Sequence, residues 1–122
     1  MVDHLAIPVK DLEESKGFYE KLGFVVFNQW EKPEKELKAV WMRDKSGSKI
    51  ELIYHPTNQN IVFPKIVEVL HLAITVTDLE KELNELGKAG IKPVVPLTKG
   101  VSVKQFAFIK DPNGFPIELV EY

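Results

Sequence analysis

Four side chains of this 122-residue chain have the chemistry of divalent-metal ligands and share one register: His4, Glu51, His71 and Glu118. His4 and His71 stand 67 residues apart, and so do Glu51 and Glu118. The offset extends well beyond these four. His4-Leu5-Ala6-Ile7 recurs as His71-Leu72-Ala73-Ile74, and Ile50-Glu51-Leu52 recurs as Ile117-Glu118-Leu119. Between them, Val9 matches Val76, Asp11 matches Asp78, Leu12 matches Leu79, Glu13 matches Glu80 and Gly23 matches Gly90. Asp44 with Asp111 and Gly47 with Gly114 keep the same spacing, with no gap. Self-similarity at a fixed period marks a repeated structural unit. A lone strand His is usually a surface or satisfied core residue, and an Ile-Glu-Leu triplet is usually a strand with one solvated Glu. Diverged copies that keep both residues in register favour a shared task. Unpaired carboxylates taken out of water would bind protons rather than stay charged. Two Glu beside two neutral imidazoles make chemical sense around a cation. Such a nitrogen and oxygen set, without thiolate, suits one divalent Zn, Ni, Co, Mn or Fe ion, with water in any open position.

Those side chains need strands to aim them. Residues 2–9 alternate, with Leu5, Ile7 and Val9 on one face and His4, Ala6 and Pro8 on the other, which predicts a half-buried strand. Asp11 is a helix N-cap with Glu14 three residues on, Leu12, Phe18, Tyr19 and Leu22 recur at helical spacing, and Gly23 stops the helix. Strands are predicted at 24–31, 37–43 and 48–55, with the turn Asp44-Lys45-Ser46-Gly47 before the last. The second copy repeats the order: a strand at 67–76, a helix at 78–89 between Asp78 and Gly90, and strands at 91–96, 103–110 and 115–121. The fold class is therefore α+β, a tandem of βαβββ modules in one domain, 1–122. Module one is 1–55, a linker with Pro56, Asn58, Asn60 and Pro64 covers 56–66, and module two is 67–122. A module of this size buries little apolar area alone, so two must share an interface within a chain or between chains. With Leu5, Ile7, Val9, Leu72, Ile74 and Val76 under the helices, His4 and His71 fall on the opposite, concave face. Ile50, Leu52, Ile117 and Leu119 place Glu51 and Glu118 there by the same parity.

Composition narrows the partners. Hydrophobic residues make up 44% and charged residues 28%, a globular mix, and the net charge is −2 with both signs interspersed. That balance gives no basis for a nucleic-acid partner or an anionic membrane surface. There is no apolar run of bilayer-spanning length and no basic-then-apolar N-terminus of a signal peptide, so the expected location is the cytoplasm. The chain has no cysteine, which removes disulfide and thiolate chemistry.

The chain resembles the vicinal oxygen chelate superfamily, the glyoxalase I, bleomycin-resistance and extradiol dioxygenase group, along nearly its whole length. The resemblance is carried by His4-Leu5-Ala6-Ile7-Pro8-Val9-Lys10-Asp11-Leu12, Phe18-Tyr19-Glu20-Lys21-Leu22-Gly23-Phe24, His71-Leu72-Ala73-Ile74-Thr75-Val76 and Asp111-Pro112-Asn113-Gly114-Phe115-Pro116-Ile117-Glu118-Leu119. It implies paired βαβββ modules forming a cupped sheet, a homodimer, and metal ligands at His4, Glu51, His71 and Glu118. Dioxygenases of the group use two His and one Glu, whereas glyoxalase I-like lyases typically use four protein ligands and the related acyl-CoA epimerases use a similar set. Antibiotic-sequestering members usually lack the ligands. The four-ligand pattern implies a lyase or isomerase that moves a proton next to a carbonyl through a metal-chelated enediolate, on a small carbonyl substrate. Glu118 matches the catalytic base, and pseudo-symmetry makes Glu51 the second candidate. The alternatives are an Fe(II) extradiol-type dioxygenase, an acyl-CoA epimerase and a non-catalytic antibiotic-binding protein. Glutathione-type glyoxalases carry an Arg where this chain has Pro8 and tend to carry an Asn where it has His55, so glutathione dependence is not implied.

Five further positions are candidates for the substrate pocket. Trp41 and Phe108 share the repeat offset, and with Phe106 they line the cup if Val40, Met42, Ala107 and Ile109 face the helices. His55 shares strand parity with Glu51 and reaches the rim, or else lies in an exposed loop. Lys99 sits in the loop before the seventh strand, which family members close over substrate, and could meet an anionic group there.

Overall fold

In the computed structural model, which describes residues 1–122, the chain forms two units, Met1–Ile61 and Val62–Tyr122. The first contains β1 (Leu5–Val9), α1 (Leu12–Lys21), β2 (Val25–Lys32), β3 (Leu37–Arg43) and β4 (Lys49–Tyr54). The second contains β5 (Leu72–Thr75), α2 (Leu79–Lys88), β6 (Val95–Lys99), β7 (Gln105–Lys110) and β8 (Pro116–Glu121). Each unit has one four-stranded mixed sheet, ordered β1-β4-β3-β2 in the first and β5-β8-β7-β6 in the second. In both, the outer strand and its neighbour, β1 with β4 and β5 with β8, are parallel and the remaining pairs antiparallel. The architecture is α+β, with the βαβββ order expected from the repeat.

Four of the repeated positions, Asp11, Gly23, Asp44 and Gly47 with their copies, stop and start elements. Asp11 Oδ1 accepts the Glu14 N–H at 2.9 Å, and Asp78 Oδ1 accepts the Lys81 N–H at 3.1 Å. These caps satisfy amide groups that a helix start otherwise leaves unpaired. At the other end Gly23 and Gly90 adopt φ of 95° and 83°. Phe24 N–H then bonds Tyr19 C=O and Gly23 N–H bonds Glu20 C=O, and Ile91 with Leu86 and Gly90 with Gly87 repeat the pattern. That double bond pattern is a Schellman closure, which needs a left-handed residue at the glycine. Before β4 and β8 the turns are again identical. Asp44 Oδ1 accepts the Ser46 and Ser48 N–H groups, and Asp111 Oδ1 accepts those of Asn113 and Phe115. Gly47 and Gly114 complete them at φ of 92° and 90°.

The helix-facing side of each sheet holds the core. Ile7, Val9, Val40, Met42, Ile50 and Leu52 are buried in the first unit with Phe18 and Tyr19 of α1. Ala107, Ile109, Ile117 and Leu119 are buried in the second with Leu79 and Leu86 of α2. Each such aliphatic side chain contributes roughly 1.5–3 kcal/mol by leaving water. Leu5, expected in this row, is 37% exposed.

Several boundaries differ from the sequence expectation. Residues 56–61 are not a free linker but part of the first unit. Pro56–Asn60 forms a short 3-10 helix, and buried Asn58 donates Nδ2–H to the Val9 and Ile53 carbonyls, both at 2.9 Å. Phe63, from the other end of that segment, packs its ring against Phe115 of the second unit at 5.3 Å. The strand expected at 91–96 lies at Val95–Lys99 instead. Ile91 N–H is consumed by the helix closure and Pro93 has no N–H to pair, so the ladder starts later. Pro96 is tolerated because β6 is an edge strand, and its register slips between Val95 and Thr98. Lys99 therefore is not in the loop before β7: it ends β6 and pairs with Gln105.

Candidate functional site

His4 and His71 come immediately before β1 and β5, and Glu51 and Glu118 lie within β4 and β8. Parallel pairing sets Ala6 beside Glu51 and Ala73 beside Glu118. Antiparallel pairing sets Trp41 on the other side of Glu51 and Phe108 on the other side of Glu118. A methyl group on one flank leaves the carboxylate room to turn toward the His, and an aromatic ring on the other walls it in.

In the first unit, His4 Nε2 lies 3.5 Å from Glu51 Oε1, and in the second, His71 Nε2 lies 3.4 Å from Glu118 Oε1. Both separations are longer than the roughly 2.7–3.2 Å of an ordinary N–H···O hydrogen bond. They match the spacing of about 3.4 Å between two donor atoms held tetrahedrally about 2.1 Å from one cation. The donor chemistry of each pair, imidazole nitrogen with carboxylate oxygen, thus fits a divalent metal. Each unit by itself offers two such donors, and the structure contains no group of three or more His, Cys, Asp or Glu that could hold an ion. The rings are placed alike as well. His4 meets Trp41 edge-on with centroids 4.4 Å apart, and His71 meets Phe108 edge-on at 5.1 Å. Phe106 extends the second aromatic wall, its ring 6.0 Å from Phe108.

Around this common frame the two pairs differ. His4 Nδ1 contacts Asp3 Oδ2 at 2.8 Å, and Asp3 Oδ1 accepts from Lys49 Nζ at 3.0 Å. The bond with His4, then the Lys49 ammonium, hold the Asp3 carboxyl below the usual carboxylate range. His71 has Leu70 at the corresponding place, and its Nδ1 is buried without a hydrogen-bond partner. Glu51 Oε2 accepts the Trp30 indole N–H at 2.8 Å, and Glu51 is only 8% exposed. Glu118, with a side chain 21% exposed, lies against His71 and has no counterpart of the Trp30 bond.

Sequence reasoning left Asp3 and Trp30 without a role. For Asp3 the signal was adjacency, an acceptor next to a candidate ligand. For Trp30 it was an indole, with a single N–H, on a strand otherwise rich in polar residues. Of the other candidates, His55 caps the 3-10 helix, its Nδ1 accepting the Thr57 N–H at 3.1 Å, and it is half-buried. Lys99 is exposed on β6. Neither has a hydrogen bond or ion pair to the His–Glu pair of its own unit.

A family model described as the Glyoxalase/Bleomycin resistance protein/Dioxygenase superfamily matches residues 1–119. The chain is 34% identical over 122 residues to the uncharacterized protein YwkD of Bacillus subtilis (strain 168), covering 98% of this chain and 95% of that protein. Among solved structures it is similar to a glyoxalase family protein from Enterococcus faecalis, with a TM-score of 0.84 and 29% identity over 99% of this chain and 97% of that one. It is also similar to the trypanothione-dependent glyoxalase I of Leishmania major, with a TM-score of 0.78 and 28% identity over 99% and 86% of the two chains.

Proposed function

The chain belongs to the Glyoxalase/Bleomycin resistance protein/Dioxygenase superfamily, and from that premise we propose that it is a metal-dependent, glyoxalase I-like lyase or isomerase. The observation that carries this reading is the repeated His–Glu pair, His4 with Glu51 and His71 with Glu118, at nearly equal separations in the two units. In the proposal these four side chains are the ligands of one divalent ion. The ion, when bound, supplies positive charge against the negative charge that grows on a carbonyl oxygen as the neighbouring carbon loses its proton.

The protein groups do the rest. Glu118, held by no side-chain hydrogen bond, takes the proton from carbon and delivers it to the adjacent carbon, so one carboxylate acts as base and then as acid. Glu51 stays in place as a ligand. Trp41 and Phe108 hold the imidazoles edge-on and keep water from the apolar side of the site. The substrate class is a small 2-oxoaldehyde in adduct with a thiol. The similarity to a glyoxalase I described as trypanothione-dependent supports a thiol adduct without pointing to glutathione. The active species is a homodimer.

The test is reconstitution. Metal-free protein is loaded in turn with Zn, Ni, Co, Mn and Fe(II), and solvent deuterium entering the product of a 2-oxoaldehyde–thiol adduct is followed by NMR. One ion per chain and turnover with at least one metal are expected, with a loss of roughly 10²–10⁴-fold in Glu118→Gln. Absence of stoichiometric metal, or a ring-opened product from a catechol with Fe(II) in place of adduct turnover, would sink the reading.

A further inference from the structure

Two copies of one module could have kept two interchangeable carboxylates, but this chain has not. The Trp30 indole Nε1–H bonds Glu51 Oε2 at 2.8 Å while the other oxygen of Glu51 faces His4 Nε2 at 3.5 Å. Both oxygens are thereby assigned, one to a fixed donor and one to the imidazole. The indole is itself held from outside, with Lys32 Nζ 5.2 Å from its ring centroid. It sits on β2 opposite Ala39 of β3, and Ala39 sits opposite Ile53 of β4, two residues beyond Glu51. That is the reach an indole needs to lie diagonally over Glu51 from two strands away. In the second unit the residue 67 positions on is Leu97, and the residue that pairs with Phe106 as Trp30 pairs with Ala39 is Thr98, whose hydroxyl donates to the Pro96 carbonyl at 2.7 Å instead.

We propose that Trp30 is a positioning residue that pins Glu51, fixing the carboxylate that faces His4. The proposal rests on the metal-site reading above and deepens it by naming the residue that holds Glu51 in place. A carboxylate whose second oxygen is taken by an indole N–H loses rotational freedom, and a ligand fixed in this way holds its ion more tightly. A carboxylate without such a donor can swing between ion and substrate carbon. The half-buried indole also has a reason of its own to keep the bond, because an N–H shielded from water and left unpaired costs free energy.

The chain has two Trp, so its indole N–H signals are two and are assigned by single Trp→Phe changes. In metal-free protein the Trp30 indole proton is expected to exchange with water at least about tenfold more slowly than in Glu51→Ala. Equal exchange in the two proteins would overturn the bond, whether or not any metal binds. Metal-free wild type and Trp30→Phe are then titrated with Co(II), read by calorimetry and by the visible ligand-field spectrum, with thermal midpoints as the control for folding. Trp30→Phe is expected to bind Co(II) about tenfold more weakly and to change the spectrum while remaining folded. Trp30→Gln, which restores an N–H donor, is expected to recover part of the loss. Unchanged affinity and spectrum in a folded Trp30→Phe would overturn the positioning role. A wild type that takes up no Co(II) while its Trp30 proton is protected would overturn the metal reading and leave the pinned carboxylate standing.

Discussion

Asp3 illustrates how much a single neighbour changes a His. Its carboxylate meets His4 Nδ1 at 2.8 Å, which leaves Nε2 as the nitrogen turned to Glu51. A His that ligates a metal through one ring nitrogen is usually oriented by an acceptor on the other. Asp3→Ala is therefore expected to weaken divalent-metal binding by about tenfold with the fold intact, measured by calorimetric titration. An unchanged affinity would mean that Asp3 serves only its exposed ion pair with Lys49, an interaction of small worth in water. His71 has no such acceptor, and Leu70 stands where one would be. Both differences between the two pairs, Asp3 against Leu70 and Trp30 against Thr98 with its hydroxyl turned to Pro96, add polar contacts to the His–Glu pair of the first unit alone.

At the level of elements, the repeat preserves stops and turns as well as core strands. Gly114 closes the turn before β8 at φ 90°, a backbone region that a side chain adopts only under strain. Gly114→Ala is expected to cost about 1–3 kcal/mol in urea unfolding, because non-glycine residues held in such conformations carry that penalty. A change below measurement error would show that the turn relaxes. These turns and caps were legible in the sequence because their chemistry is local: Asp at the start, Gly at the left-handed position. The edge strand β6 was not. Its apolar run from Ile91 to Leu97 contains two prolines, and the ladder's start depended on which N–H groups the preceding helix closure had already used. Lys99 moved from loop to strand for the same reason. Trp30 was illegible for another reason, since its partner lies two strands away in the sheet.

For the molecule as a whole, β8 carries a second carboxylate with structural work to do. Glu121 is buried, its Oε1 accepting from Lys104 Nζ at 2.8 Å and its Oε2 from Gln105 Nε2 at 2.6 Å and the Leu79 N–H at 3.0 Å. These bonds, Lys104 first, lower its pKa from 4.5 to about 2. A carboxylate depressed in the folded state stabilises the fold above its unfolded pKa, and that contribution fades as pH falls toward the folded value. Glu121→Gln is expected to lower the unfolding midpoint at neutral pH, with the gap to wild type closing between about pH 4.5 and about pH 2. A gap of constant size across that range would assign the effect to packing instead.

The matched turns also set where the chain can change length. From Asp44 to Glu51 and from Asp111 to Glu118 the count is the same, and the turn fixes the phase of the strand that follows. Side chains along a strand alternate between its faces, so one residue gained or lost in that stretch would turn the carboxylate into the helix-facing core and send Ile50 or Leu52 outward. The segment around Ile61 and Val62 carries no such phase, because it joins two units each closed by its own sheet. Lengthening is thus permissible at the junction and prohibitive between turn and glutamate, a difference in tolerated insertions that follows from strand geometry alone.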